Sequence, residues 1–339
     1  MATAILRGPR DLVVTERPVP EPGPREVLVR VTAVGVCGSD VHYYEHGRIG
    51  PYVVEQPLVL GHEPAGVVEA LGPGVTRVRS GQRVSIEPGR PCFTCTYCLT
   101  GRYNLCPHMR FMATPPVDGA LCEYVSVHEA LAHPVPDSLT DEAAALLEPL
   151  SVAIWACGKG RVTAGSRVLV NGAGPIGLVC VQVAVACGAT EVVAADVDPY
   201  RLDLARRLGA TAVVEVPRTP LAGLDPDVLL ECSGNPGAIR AALGVLAPAG
   251  RAVLVGMGGD EVPLPLPVVQ NRELEVTGTF RYANTWPAAI ALAARGRVDL
   301  DTLVTGHFGL STLEAALTAG TTDPHSVKPV VHPARQEAG

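Results

Sequence analysis

Four cysteines stand close together as Cys92, Cys95, Cys98 and Cys106, a C-x2-C-x2-C-x7-C run on a loop rich in Pro and Gly. Soft thiolates at that spacing match a closed tetrahedral zinc site, which has no open position and therefore stiffens a loop. An iron–sulfur cluster could use similar ligands, but no second electron-carrier feature accompanies them. A second constellation is dispersed: Cys37 in VCGSDVH, then His62 and Glu63 in GHE. Sulfur, nitrogen and oxygen from these three suit zinc and leave room for water or substrate, the mark of a catalytic metal. Glu148, in EPLSVA, stands at the end of the same stretch of chain.

A third group of residues reads as a nucleotide site. Gly172, Gly174 and Gly177 form GAGPIG between a strand-like VLVN and a helix-like PIGLVCVQVAVACG. The first glycine makes a tight turn, the second lets a pyrophosphate approach the backbone, and the third lets helix and strand pack closely. The helix N-terminus favours phosphate charge. Asp196, in VVAADVDP after the next strand, can accept hydrogen bonds from ribose hydroxyls and repel a 2′-phosphate, which favours NAD over NADP. Arg201 could accommodate a phosphate, but beside Asp196 it reads as a cover for the adenosine.

These residues need two kinds of scaffold. As far as about Glu148, short Val-rich runs (EVLVRVTAVGV, AGVVEALG, QRVSIEPG, LCEYVSVHE) alternate with turn signals and predict a β-rich domain. From about Leu150 to Pro287, strand-like runs (SRVLVNGAG, EVVAADVD, DVLLECSG, GRAVLVGM) alternate with helical ones, predicting α/β architecture with a doubly wound parallel sheet. The tail carries helical WPAAIALAARG and STLEAALTAG and ends on strand-like VKPVVH. A length of 339 residues suits two domains, and 47% hydrophobic residues are enough to build their cores.

Composition also excludes partners. Lys and Arg number 27 against 34 Asp and Glu, a net charge of −7, which argues against a nucleic-acid or anionic-membrane surface. The N-terminus lacks the apolar run of a signal peptide, and no apolar stretch is long enough to span a bilayer. The expectation is a cytoplasmic protein whose ten cysteines stay reduced. Cys122, Cys157, Cys180, Cys187 and Cys232 show no ligand spacing and are expected to be buried thiols.

With these residues assembled, the chain resembles the zinc-containing medium-chain dehydrogenase/reductase family along nearly its whole length, most closely its sorbitol (L-iditol) and xylitol dehydrogenase branch. VCGSDVHYYEHGRIG, GHEPAGVVEALG, IEPG, ATPPVDGALCEYV, EPLSVA and TFRYANTWP carry the resemblance. It implies a GroES-like catalytic zinc domain at 1–149 and 288–339, a Rossmann NAD-binding domain at 150–287, and an active cleft between them. Cys37, His62 and Glu63 would bind a catalytic zinc directly, with Glu148 acting through water or a substrate hydroxyl. Ser39 and His42 match proton-relay positions, and Tyr43, Arg281 and Tyr282 would line a polyol site. Ile176, Asp196 and Arg201 would contact NAD, joined by Val255, Gly256, Met257, Thr279, Phe280 and Arg281. His46 and Phe111 sit near the expected pocket without an assigned role.

The activity so implied is NAD-linked oxidation of a secondary hydroxyl of a small polyol to its ketose, in a homotetramer or homodimer. Cofactors would be NAD, a catalytic zinc and a structural zinc. Rival readings are a dehydrogenase for another secondary alcohol (threonine, butanediol or a sugar acid) and a non-catalytic zinc- or dinucleotide-binding protein.

Overall fold

The computed structural model describes residues 1–259 and 261–334. The chain divides into two compact units, Met1–Glu148 with Leu300–Gly339, and Pro149–Asp299. Residues 335–339, the end of the span assigned to the catalytic domain, lie outside the described residues. Residues 288–299, assigned from sequence to the first domain, fall in the second unit. There Gln182 exchanges two hydrogen bonds with the backbone of Asp299.

The first unit is built on a seven-stranded sheet. Its path runs Ala132–Pro134, Arg83–Ile86, Glu63–Leu71, Glu26–Gly35, Lys328–Val331, Val304–Phe308, and Tyr124–His128 also pairs with Glu26–Gly35. The central strand, EVLVRVTAVG, is apolar on both faces and is buried along most of its length. Val27, Val29, Val31 and Val34 pack there with Leu58, Val84, Ile86 and Val125. The carboxy-terminal VKPVVH pattern becomes the strand Lys328–Val331, whose Val330 stands opposite Gly35. Long-range pairing thus returns the chain's end to its first domain.

Two elements here escaped sequence reading. Ala2–Gly8 and Asp11–Glu16 form an antiparallel hairpin. Gly38–His46 is a short polar helix. Its sequence, GSDVHYYEH, has no apolar stripe; the Cys37–Asp40 cap starts it and Gly47, in left-handed backbone, ends it.

The second unit carries a six-stranded parallel sheet. The strand order is Ala212–Glu215, Glu191–Asp196, Arg167–Asn171, Val228–Glu231, Arg251–Leu254, Glu275–Gly278. Apolar runs such as VLVN and VLLE suit strands covered by helices on both faces. The helix Pro175–Ala186 starts with Pro in its first turn and is buried from Gly177 to Ala184. Gly172 has φ of 96°, backbone that side chains rarely adopt. A Cβ on Gly177 would overlap the carbonyl oxygen of Gly172. The glycines are therefore steric requirements of the turn itself.

The replacement Gly177→Ala is expected to lower unfolding stability by about 1–3 kcal/mol, the usual range for overpacking. Chemical denaturation checks this; an unchanged midpoint would mean that the turn can open at no cost.

Candidate functional site

The dispersed constellation converges. The ligating atoms of Cys37, His62 and Glu63 all lie within 4.8 Å of one another. The sheet brings them together: Cys37 follows the end of Glu26–Gly35, and Glu63 opens the adjacent strand, opposite Gly35. Cys37 is also the N-cap of the helix Gly38–His46. Asp40 locks this corner. Its Oδ2 accepts the Cys37 N–H at 3.0 Å and its Oδ1 accepts the Gly61 N–H at 2.9 Å. Asp40 Oδ1 also lies 3.7 Å from His62 Nδ1. The Phe111 ring packs 5.7 Å from the His62 ring, giving Phe111 a packing role at the constellation.

Lys328 completes the cluster, and the sequence reading missed it. It is 2% exposed and donates to Glu63 Oε1 at 2.5 Å and to the Val36 carbonyl at 2.9 Å. Burial opposes its charge, yet Glu63, Cys37 and Glu148 outweigh burial and hold its pKa above the ordinary lysine value. Gly35 lies beneath this ion pair. A Cβ there would overlap Glu63 Oε2 and come within 3.2 Å of Lys328 Cε. One signal was legible: a lysine inside the apolar strand KPVV needs a buried partner.

The donor set fits zinc. Glu63 Oε2 is buried without a hydrogen-bond partner, an orphan that a cation would satisfy. Burial disfavours protonated His62, but Cys37 and Asp40 reverse this and raise its pKa well above 6.5. The site therefore holds positive charge at His62 that a metal ion can replace. Glu148, 5% exposed, lies near enough to support the Lys328 charge. Ser39 is partly buried and Tyr43 is buried, while His42 is exposed with its ring 4.7 Å from that of His46.

Cys92, Cys95, Cys98 and Cys106 form the other convergent set. Sulfur separations of 3.5 Å (Cys95–Cys98) and 3.9 Å (Cys92–Cys98) exclude disulfides. They match the edge of about 3.8 Å expected for tetrahedral zinc thiolate at 2.3 Å. Hydrogen bonds from Thr94 and from the Cys95 N–H lower the Cys92 thiol to about 5. Burial and the neighbouring sulfurs push Cys98 up to about 12, so a full set of thiolates needs a cation. Of the remaining cysteines, Cys122, Cys157 and Cys180 are buried, whereas Cys232 is only partly buried and Cys187 is exposed, contrary to the expectation of burial, Cys187 because it caps the end of a helix.

In the second unit the nucleotide residues gather at the carboxyl ends of parallel strands. Gly172 to Gly177 follow Arg167–Asn171, Asp196 ends Glu191–Asp196, Val255 to Met257 follow Arg251–Leu254, and Thr279 to Arg281 follow Glu275–Gly278. Gly174 is an N-cap with no side-chain cap, and a Cβ there would meet open space. Ile176 lies in the first turn of that helix. The unused N–H groups beside that space fit a pyrophosphate. Asp196 is more committed than expected: Oδ2 accepts the Ala173 N–H at 2.5 Å and Oδ1 the Asp198 N–H at 2.9 Å. It therefore shapes the turn, and its carboxylate keeps lone pairs that a ribose hydroxyl could use. Arg201 Nε lies 3.5 Å from Asp198 Oδ2. Glu231, also missed, is fully buried and accepts the N–H groups of Ser233 and Gly234, each at 3.1 Å. Met257 and Phe280 are exposed, Arg281 stacks over Phe280 at 4.7 Å, and Tyr282 is buried with its ring 5.3 Å from Trp286.

Two outcomes are expected. Lys328→Met strands a buried carboxylate and should destabilise the metal-stripped protein by about 3–5 kcal/mol, and the zinc-loaded protein by less, because the ion replaces the lost charge. Denaturant titrations of both forms test this; equal losses would show that the lysine does not oppose the metal's charge. The second concerns pH. In stripped protein the raised His62 pKa stabilises the fold below about pH 6.5, and this contribution is lost as pH rises through the raised value. The gap in Tm between zinc-loaded and stripped protein should therefore widen from acid to alkaline pH. A constant gap would mean that His62 carries no proton in the stripped form.

Comparison with known proteins agrees with this architecture. Residues 23–137 match the alcohol dehydrogenase GroES-like domain, and residues 175–295 match the zinc-binding dehydrogenase domain. A sorbitol dehydrogenase of Gallus gallus is 48% identical over 91% of this chain and 89% of its own length. A sorbitol dehydrogenase of Bacillus subtilis is 41% identical over 94% and 92%. The crystal structure of L-idonate 5-dehydrogenase from Escherichia coli superposes with a TM-score of 0.92 at 32% identity, covering 98% of this chain and 97% of that one. The chain accordingly belongs to the zinc-containing medium-chain dehydrogenase/reductase family, within its sorbitol dehydrogenase branch.

Proposed function

We propose that this protein is an NAD-linked zinc enzyme that oxidises a secondary hydroxyl of a small polyol of the sorbitol, xylitol or L-iditol type to the ketose. The observation that carries the reading is the buried cluster of Cys37, His62 and Glu63, with Glu63 Oε2 unpartnered, in a chain of the sorbitol dehydrogenase branch. When bound, zinc supplies Lewis acidity toward a hydroxyl oxygen and NAD accepts the hydride.

The chain's own residues do the rest. Cys37, His62 and Glu63 hold the metal, and Lys328 and Asp40 orient Glu63 and His62. Glu148 holds a water or a substrate hydroxyl. Ser39 and His42 offer one exit for the hydroxyl proton, and water at Glu148 offers another. Tyr43, Arg281 and Tyr282 pair the neighbouring hydroxyls of a polyol. Gly172, Gly174 and Gly177 receive the pyrophosphate, Asp196 receives the adenosine ribose, and Ile176, Arg201, Val255 to Met257 and Thr279 to Arg281 frame the remainder of NAD. Cys92, Cys95, Cys98 and Cys106 hold a second, structural zinc. The first unit thus carries the metal chemistry and the second the dinucleotide. No helix among the described residues is long and apolar enough to cross a membrane. With its ten cysteines unpaired, that fits a cytoplasmic enzyme, and the family resemblance favours a homotetramer or homodimer.

NADH formation by the purified protein tests the reading across sorbitol, xylitol, ribitol, galactitol, butanediol, threonine and ethanol, each with NAD and NADP, with and without chelator. Chelator-sensitive, NAD-dependent activity is expected on a polyol. A site that pairs several hydroxyls should favour polyols over ethanol by roughly 10⁴ in kcat/KM. Activity on threonine or butanediol alone would overturn the polyol assignment and keep the metal chemistry.

A further inference from the structure

A further convergence of ligating groups lies in the first unit, and no sequence motif announces it. Glu142 stands in the first turn of the helix Asp141–Ala145. His307 lies on the strand Val304–Phe308, and His332 follows its parallel partner Lys328–Val331. The His332 N–H donates to the Phe308 carbonyl at 2.7 Å, which fixes the two imidazoles side by side. His307 Nδ1 lies 3.0 Å from His332 Nε2, and Glu142 Oε1 lies 3.5 Å from each of these nitrogens.

Two edges of that triangle have the dimensions of a coordination face, and the third, 3.0 Å between the imidazoles, is a hydrogen-bond length that an ion would open by a few tenths of an ångström. Imidazole nitrogens and a carboxylate oxygen bound to zinc at 2.0–2.2 Å stand about 3.2–3.6 Å apart in a tetrahedral site. At 3.5 Å the carboxylate oxygen is beyond good hydrogen-bond range of either ring, yet well spaced to share an ion with both. The outer shell is built as well. His332 Nδ1 lies 2.9 Å from the Thr32 carbonyl, so Nδ1 carries the proton and donates it. The Nε2 lone pair is left facing His307 and Glu142, the arrangement that orients metal-ligating histidines. His307 needs only to carry its ring proton on Nε2. The cluster opens on a cleft of about 470 Å³ lined by Thr32, Glu142, His307, His332 and Ala334, which leaves a coordination position for water.

We propose that Glu142, His307 and His332 form a binding site for a zinc-type divalent ion, separate from the constellations at Cys37 and Cys92. Two imidazoles and one carboxylate make a neutral-to-anionic set of borderline softness that prefers zinc, cobalt or nickel to calcium or magnesium. The ion clips the helix Asp141–Ala145 to the two carboxy-terminal strands. Because His307 is 47% exposed at its side chain, the ion exchanges with solvent far more readily than one held at Cys37.

The test uses tag-free protein with its cysteine-containing sites loaded with zinc and excess metal removed by gel filtration. Calorimetric titration with zinc should show one further ion per chain, and the same titration with magnesium none. His307→Gln, at an exposed position where folding is not at stake, should weaken this binding by at least about tenfold and leave polyol turnover without added zinc unchanged. Glu142→Gln should weaken it similarly. Added zinc should raise Tm in the parent protein and not in His307→Gln. Absence of a further ion in the parent protein would overturn the proposal, and so would equally tight binding by His307→Gln.

Discussion

A thiol, an imidazole and a carboxylate are gathered in the interior of a β-sheet, and the Glu63–Lys328 ion pair makes that possible. A buried carboxylate without compensation would be neutralised or would expel its strand toward water. Lys328 supplies the opposing charge from the strand on the far side of Glu26–Gly35, and it reaches Glu63 because Gly35, opposite Glu63 on the strand between them, has no side chain in the way. Glu63 keeps one oxygen on the lysine and leaves the other without a hydrogen-bond partner, in a carboxylate that clusters with Cys37 and His62. The same crossing sets the position of Cys37, two residues beyond Gly35, and ties the carboxy-terminal strand to the centre of the first unit.

Both units use one further device, a buried carboxylate that organises a loop by accepting backbone N–H groups. Asp40 gathers Cys37 and Gly61, and so fixes the approach of Cys37 and His62 to one another. Asp196 gathers Ala173 and Asp198, shaping the glycine turn after Arg167–Asn171. Glu231 gathers Ser233 and Gly234, which brings Gly234 against Met257 and Gly256. Charge-assisted bonds of this kind are short and directional, so reacting groups are held by backbone geometry rather than by flexible side-chain contacts.

The local motifs were legible because their chemistry is written in contiguous residues. The cysteine run announces a metal loop, since spacing alone puts four sulfurs within reach of one ion. GAGPIG announces a turn that only glycine can make, and the positive φ of Gly172 and the close approach at Gly177 are its physical content. Cys37, His62 and Glu63 were legible with less force, because 25 residues part Cys37 from His62 and only strand pairing closes the gap. The helix at Gly38–His46 had no apolar stripe to reveal it, and Trp286–Ala294, read correctly as a helix, could not disclose from its own residues which unit it joins.

By itself the sequence determined the two classes of scaffold, the cysteine cluster at Cys92–Cys106 and the position of the glycine turn, because each depends on local spacing, periodicity or steric need. Tertiary structure alone decided which distant charges meet. Lys328 lies 265 residues from Glu63, and Thr32 lies 300 residues from His332. Glu142 joins His307 and His332 only where a helix start rests beside two parallel strands. No local pattern encodes such meetings, because strand register and packing, summed over the whole fold, set the distances between these groups.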